Sequence, residues 1–179
     1  MNARPGQFFF RYRNAIGPVA FLVALLAGTP AYPLGRDDLN LALDVLGMCA
    51  ALLGEALRIV TIGYEYIERG GRDRKAYAST LVQGGVFAHC RNPLYLGNIL
   101  LAVGIALVVH AAAFYLIVLP LAGYAYVSIV AAEEAYLQEK FGDAYRAYCR
   151  RVNRWVPRWR GWPCSIAGMR FNWRRVLVK

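Results

Sequence analysis

Apolar residues gather along this chain in runs of about 20, the length that a helix needs to cross the roughly 30 Å hydrocarbon core of a bilayer. Four runs qualify, at about 15–34, 39–62, 94–109 and 111–132. Only His110 and its small neighbours separate the last two runs, which predicts a tight helical hairpin. The pattern predicts one all-α integral membrane domain over 1–179, with about four transmembrane helices.

The polar stretches are the loop 63–93 and the tail 133–179. The fourth helix is expected to continue past the apolar run and to stop at Gly142, where a second short helix begins at Asp143 and ends near Val152. Beyond it, aromatic residues alternate with arginines, a composition that suits the headgroup zone of a membrane. We expect the loop and the tail to pack together as one cytosolic cap. The aromatic residues are Trp155, Trp159, Trp162, Phe171 and Trp173.

Basic residues fall on alternate sides of this topology. The N-terminal arm has three, the turn at Arg36 has one, the loop 63–93 has five, the hairpin tip has none and the tail has eleven. Lysine and arginine accumulate on the cytosolic side of membrane proteins, so both termini are predicted to be cytosolic, in a bacterial inner membrane. The net charge of +10 then follows from topology, and a nucleic-acid partner is not needed to explain it. The hydrophobic share of 58% also exceeds the roughly 45–50% of soluble domains.

Several ionisable side chains interrupt the apolar runs. Glu55 and Arg58 are one helical turn apart, and such groups face a bundle interior or a watery cavity, or form a snorkelling pair near the helix end. Asp44 is interpreted as an interfacial charge and His110 as a polar turn residue. The cysteines show no metal-ligand spacing, so we expect free thiols and no metal site. They are Cys49, Cys90, Cys149 and Cys164.

Two polar motifs flank the predicted hairpin. Pro93 suits the first turn of a helix, and the free amides beside it can hold an anion such as a ligand carboxylate; the alternative is a plain helix start with a solvated Arg91. Glu133 and Glu134 lie near the negative end of a helix dipole, where two acids are locally unfavourable. A ligand amine, sugar hydroxyls or arginines would compensate them, unless they are simply solvated.

Taken together, these motifs resemble the isoprenylcysteine carboxyl methyltransferase family and its bacterial and phospholipid-methylating relatives. The resemblance covers roughly 54–157. Its strongest parts are Gly85-Val86-Phe87, Arg91-Asn92-Pro93-Leu94-Tyr95-Leu96-Gly97, Glu133-Glu134, and Phe141-Gly142-x-x-Tyr145-x-x-Tyr148-x-x-Arg151-Val152.

This resemblance implies methyl transfer from S-adenosylmethionine to a lipid-like or prenylated amphipathic acceptor at the inner membrane face. It implies that Arg58, with Glu55 and Glu134, lies at the reaction centre. The donor amine or ribose would meet Glu133, and aromatic faces would meet the sulfonium. The donor pocket implied by the family comprises Ser79, Thr80, Leu81, Val82, Phe87, His89, Arg91, Asn92, Pro93, Leu94, Tyr95, Gly97 and Glu133.

Two departures bear on the acceptor, and two other functions stay open. Asn92 stands where the family often has histidine, and Ile129 stands where protein-methylating members have an arginine. A lipid or other amphiphile is therefore favoured over a prenylated cysteine. Membrane sterol reductases, which bind NADPH, have a similar C-terminal ending, but they are larger and commonly acidic at the position of Asn98. A non-enzymatic membrane scaffold would explain the helices but not the motifs.

Overall fold

A computed structural model describes residues 8–9, 11–12, 17–23, 26, 37–64, 78–158 and 160–177. Within these ranges the chain is helical and contains no strand. Residues 17–23 are helical and belong to the first predicted span, the rest of which lies largely outside the described residues. The helices are α1 (Asp37–Tyr64), a 3-10 helix (Gly85–Ala88), α2 (Pro93–Val109), α3 (Leu119–Arg151), α4 (Trp162–Ile166) and α5 (Trp173–Leu177).

Two of the described helical segments, within α1 and over Phe114–Arg151, are long and apolar enough to cross a membrane, and α2 is a shorter apolar helix. At 17 residues, α2 is about 26 Å long. The apolar side chains of α1 point outward, with Leu41, Leu52 and Leu53 each more than 60% exposed. A core helix of a soluble protein would bury such residues, whereas lipid tails cover them favourably.

Glycines bring α1 and α2 into close antiparallel contact. A Cβ atom at Gly104 would lie 2.5 Å from the carbonyl oxygen of Gly47, and one at Gly54 would lie 2.6 Å from the carbonyl oxygen of Gly97. Each helix therefore carries two glycines seven residues apart, and the two pairs face each other. Lipid tails are as apolar as leucine, so helices in a bilayer associate through such close backbone packing.

The chain reverses direction at His110, as the predicted hairpin requires. Its φ of 53° is left-handed, a conformation that histidine tolerates better than most residues. The imidazole is buried, and its Nε2 lies 2.8 Å from Oδ1 of Asp44 on α1. His110 thus not only occupies the turn but also ties the turn to α1, and Asp44 is its partner rather than an isolated interfacial charge.

A π-helical turn over Phe114–Val118 leads into α3. Pro120 is the second residue of α3. Inside a helix, proline has no N–H to donate, and its ring clashes with the carbonyl group four residues earlier. The wider π turn places the backbone so that the helix continues past this proline. Phe114 is fully buried in the turn and packs edge-on against Phe21, with ring centroids 5.3 Å apart.

The predicted stop at Gly142 is confirmed as a break within α3. Gly142 has φ 52° and ψ −120°, and helical geometry resumes after it as far as Arg151. A positive φ is strained for residues with a Cβ atom, which explains why glycine occupies the break. The segment after the break belongs to the polar end of the bundle.

The tail returns to the end of the bundle where α1 stops and α2 starts. The amide of Arg158 donates to the carbonyl of His89, at 3.1 Å, and the amide of Asn172 donates to the carbonyl of Gly63, at 2.9 Å. The ring of Phe171 packs edge-on against Tyr64, with centroids 5.3 Å apart. The described part of the loop and the tail thus form one layer over this end of the bundle.

The glycine contacts predict the effect of adding one methyl group. Gly104→Ala places a Cβ atom against backbone, so we expect the protein to lose about 1–3 kcal/mol of stability through overpacking. Thermal unfolding in detergent should show a fall in Tm of roughly 3–10 °C. Gly123→Ala is the matched control, because no atom lies within 4 Å of its Cβ position; its Tm should stay the same or rise. Equal Tm values for the two variants would contradict the packing.

Candidate functional site

The candidate site lies at the polar end of the bundle, where the start of α2, the middle of α3 and the segment after α3 meet. Asn92 immediately precedes α2, and Pro93 is its first residue. The proline has no amide hydrogen, and the other amides of the first turn lack partners within the helix. The Asn92 side chain is buried and donates from Nδ2 to Oε1 of Glu134, at 3.2 Å, and to the carbonyl of Arg154, at 3.3 Å.

Glu134 is the buried centre of this end of the protein. Its Oε1 lies 3.5 Å from Nη1 of Arg91, and its Oε2 accepts from Nε of Arg154, at 3.0 Å. Arg154 Nη2 also contacts Oε2. The carboxylate thereby compensates two cations, and together with Asn92 it holds three segments of chain at one point. Glu134 was predicted near the reaction centre, and its oxygens are engaged by protein groups instead.

Neighbouring charges and burial shift the pKa of Arg91 in opposite directions. Burial is the largest single effect and disfavours the Arg91 cation, but Glu134, Cys149 and Tyr145 together outweigh it, so the pKa of Arg91 is raised above its ordinary value. Nη1 also donates to Sγ of Cys149, at 2.6 Å. The Nε–H of Arg91 is buried and has no hydrogen-bond partner among the described residues, so one donor at the start of α2 is available to an anion.

Glu133, the neighbour of Glu134, points elsewhere. Adjacent helical residues are about 100° apart around the axis, and Glu133 accepts a hydrogen bond from the hydroxyl of Tyr95 on α2, at 2.7 Å. The ring of Tyr95 lies 5.7 Å from that of Tyr126, centroid to centroid. The two glutamates predicted as a pair therefore contact different groups. Glu133 faces the rings of Tyr95 and Tyr126, whereas Glu134 contacts Arg91 and Arg154.

Arg58 reaches the same region from α1. Its Nη1 is 3.1 Å from Oε2 of Glu55, and its side chain is 25% exposed. The stem crosses α2 at Gly97, where a Cβ atom would lie 2.6 Å from Cγ of Arg58. The guanidinium is close enough for its charge to act on the phenol of Tyr126, which also interacts with the side chain of Asn98. Arg58, Glu55 and the first turns of α2 are thus brought together.

The segment 79–82 packs against the later part of α3. Leu81 contacts the buried cluster of Tyr145, Tyr148 and Val152. Just beyond it, Oε1 of Gln83 accepts from Nη2 of Arg151, at 2.8 Å. Ser79 and Thr80 are exposed beside this cluster. These contacts join the segment to the part of α3 that follows the break at Gly142.

The 3-10 helix is held by a tyrosine. The hydroxyl of Tyr148 donates to the carbonyl of Phe87, at 2.7 Å. Burial raises the pKa of Tyr148 and of Tyr145 well above the usual range, so both phenols stay protonated and remain donors. This contact fixes the turn that precedes Arg91 and Asn92.

His89 and Cys90 anchor the tail. Nδ1 of His89 contacts the carbonyl of Arg158 and Nε2 lies 2.9 Å from Oγ of Ser165, while the ring packs against Trp162. The thiol of Cys90 is fully buried beside the carbonyls of Arg154 and Trp155, and burial raises its pKa. Both ring nitrogens of His89, predicted at the cofactor, are occupied by the tail. All four cysteines are free, as predicted.

Three residues at this end of the protein were not predicted as site residues from the sequence. Tyr126 lies seven residues, or two helical turns, before Glu133, so this spacing alone places it on the same face of α3. Asn98 lies one turn after Tyr95 and was considered only as a difference from reductases. Arg154 carries no such signal, because it follows the break at Gly142 and reaches Glu134 only through tertiary structure.

Comparison with known proteins gives one result. A family model described as phospholipid methyltransferase matches residues 45–144, more than half of the chain. The match includes α1 from Val45 onward, α2, and α3 as far as the break, and so covers Glu55, Arg58 and the residues from Arg91 to Glu134 discussed above. No curated protein and no solved structure matches the chain significantly.

The Glu134 contacts predict a structural role for this carboxylate. Glu134→Gln removes the charge that compensates Arg91 and Arg154, and breaking a buried ion pair is strongly destabilising, so we expect a loss of about 2–4 kcal/mol. Thermal unfolding in detergent should show Tm lower by roughly 5–15 °C. Glu139→Gln is the control, since Glu139 is exposed on the same helix. If both variants unfolded at the wild-type temperature, Glu134 would not hold the site together.

Proposed function

Because the chain belongs to the phospholipid methyltransferase family, a family of membrane methyltransferases, we propose that it transfers a methyl group from S-adenosylmethionine to an amphipathic, lipid-like acceptor at the cytosolic face of the membrane. The observation that carries this proposal is the arrangement at the start of α2. There a carboxylate, the buried Nε–H of Arg91, and two aromatic rings lie within one small region of the polar end.

The residues present fit the chemical groups of S-adenosylmethionine. The methionyl carboxylate needs N–H donors, and the first-turn amides of α2 and the buried Nε–H of Arg91 supply them. The ammonium or the ribose hydroxyls need an acceptor, and Glu133 provides a carboxylate held by Tyr95. The rings of Tyr95 and Tyr126 suit a sulfonium, which is attracted to aromatic faces.

The acceptor would approach from the side of α1. Arg58 lies next to Gly97 and Tyr126, so its guanidinium is placed to orient a headgroup beside the donor. Glu55 pairs with Arg58 and fixes its direction. Ile129, at the position where protein-methylating relatives have an arginine, is buried and apolar. We therefore favour a lipid over a prenylated cysteine as the acceptor.

The mechanism is an in-line displacement. When bound, S-adenosylmethionine supplies a methyl group on a positively charged sulfur, and the lone pair of the acceptor forms the new bond to carbon as the carbon–sulfur pair leaves with the thioether. The protein has to align the two partners and exclude water. Glu133 and the turn from Asn92 to Tyr95 hold the donor, and Arg58 orients the acceptor.

Four other residues would act indirectly in this scheme. They connect the start of α2 to the tail and to α3. The four residues are His89, Asn92, Arg91 and Glu134. Their main role is to position the first turn of α2, where the donor carboxylate binds. Arg91 would in addition touch the donor itself, through its Nε–H.

The decisive experiment is a calorimetric titration of the detergent-purified protein with S-adenosylmethionine, S-adenosylhomocysteine and NADPH. Saturable binding of both adenosyl ligands, without binding of NADPH, is the expected result. Binding of NADPH alone would favour a reductase. Binding of none of them would leave a scaffold as the better explanation and would refute the proposal.

Glu133→Ala should weaken the binding of S-adenosylhomocysteine at least tenfold. A hydrogen bond to a charged group contributes about 1.5–3 kcal/mol, and each 1.4 kcal/mol is a factor of about ten in Kd. Glu139→Ala, on an exposed position six residues along α3, should bind as wild type does. If Glu133→Ala retained the wild-type Kd in the same titration, Glu133 would have no part in the donor site.

A further inference from the structure

Tyr126 stands between two environments of opposite character. On one side, its phenol interacts with the side chain of Asn98 and lies within range of the charge of Arg58, whose stem crosses α2 at Gly97, and its ring lies 5.7 Å from that of Tyr95. On the other side, Tyr126 borders a cavity of about 60 Å³ between α3 and the N-terminal residues. A hydroxyl group at such a boundary can hydrogen-bond a polar headgroup while the ring contacts an apolar chain.

The cavity is lined by apolar and mostly small side chains apart from the tyrosine. Small residues leave space where larger ones would close the gap between the helices. Its volume equals roughly two water molecules at about 30 Å³ each, so it accommodates a short segment of one hydrocarbon chain, and the rest of that chain would extend into the bilayer. The lining residues are Phe9, Gly17, Ala20, Val118, Leu121, Ala122, Ala125, Tyr126 and Ile129.

The polar side of Tyr126 carries positive charge. Arg58 has five N–H donors, and within the described part of the chain its ion pair with Glu55, at 3.1 Å, leaves several of them for another group. Its guanidinium geometry matches phosphate and carboxylate oxygens. An anionic headgroup therefore complements Arg58, and the amide of Asn98 and the hydroxyl of Tyr126 supply further hydrogen bonds.

We infer that Tyr126 is a specificity-determining residue for an amphiphile that places its anionic headgroup between Asn98, Tyr126 and Arg58 and one hydrocarbon chain in the cavity beside α3. This inference deepens the proposed function, because this amphiphile would be the methyl acceptor. Binding of the amphiphile, however, does not require the donor, so the two proposals fail separately.

The test compares headgroups of equal chain length. Dodecyl phosphate, dodecanoate and dodecanol are titrated against the full chain in a neutral maltoside detergent, without any adenosyl ligand. The wild type should bind at least one anionic probe saturably and at least tenfold more tightly than dodecanol. The ranking of phosphate and carboxylate identifies the preferred headgroup. Equal affinities for all three probes, or no saturable binding, would overturn the inference.

Two variants separate the headgroup from the chain. Tyr126→Phe removes only the hydroxyl and should lower the preference for the anionic probe over dodecanol at least fivefold at unchanged Tm. Ala122→Leu fills the cavity and should weaken all three probes by the same factor. Tyr124→Phe is the matched control, because Tyr124 is two residues away and 57% exposed; it should leave every affinity unchanged.

Each outcome decides the inference. If Tyr126→Phe kept the wild-type preference, the hydroxyl would not recognise the headgroup. If Tyr126→Phe failed to fold, unweakened binding by Ala122→Leu would overturn the inference, and uniformly weakened binding would support it. If the anionic probes bound in a Tyr126-dependent manner but no adenosyl ligand bound the wild type, the proposed function would fail and the amphiphile site would stand.

Discussion

The buried carboxylate of Glu134 is the contact on which the polar end of this protein depends. It binds Arg91 before α2 and Arg154 after α3, and it accepts from Asn92. A buried charge is tolerated only when it is paired and hydrogen-bonded, so these segments have to meet at this point. The start of α2 is thereby held against the face of α3 that carries Glu133.

The second constraint is the close contact of α1 with α2. Facing glycines remove the side chains that would separate the two backbones, and in a bilayer such packing takes the place of the hydrophobic effect. One consequence reaches the candidate site, because the stem of Arg58 crosses α2 at Gly97. A larger residue there would push the guanidinium away from Tyr126. The same packing thus stabilises the helix pair and places a cation.

Hydropathy and glycine chemistry were sufficient to predict α1, α2, the hairpin and the break at Gly142, because these features depend on local sequence. The equal seven-residue spacing of the glycines is also a local pattern, and it could have predicted the close contact of α1 with α2. The partners of Glu134 and the pairing of His110 with Asp44 were not predictable, since they join positions 20 to 66 residues apart. The family motifs pointed to the polar end, but they did not separate Glu133, which faces Tyr95, from Glu134, which holds the structure.

In the proposed function, the donor binds beside Glu133 and an amphiphile binds beside Tyr126, while Glu134 holds the structure, so the polar end would methylate a membrane molecule. The most direct measurement uses S-adenosylmethionine labelled in its methyl group, incubated with membranes that contain the protein, followed by solvent extraction of the lipids. The account predicts label in the lipid extract with the wild type and almost none with Glu133→Ala. Label that is absent from the extract, or that appears equally with both proteins, would contradict it.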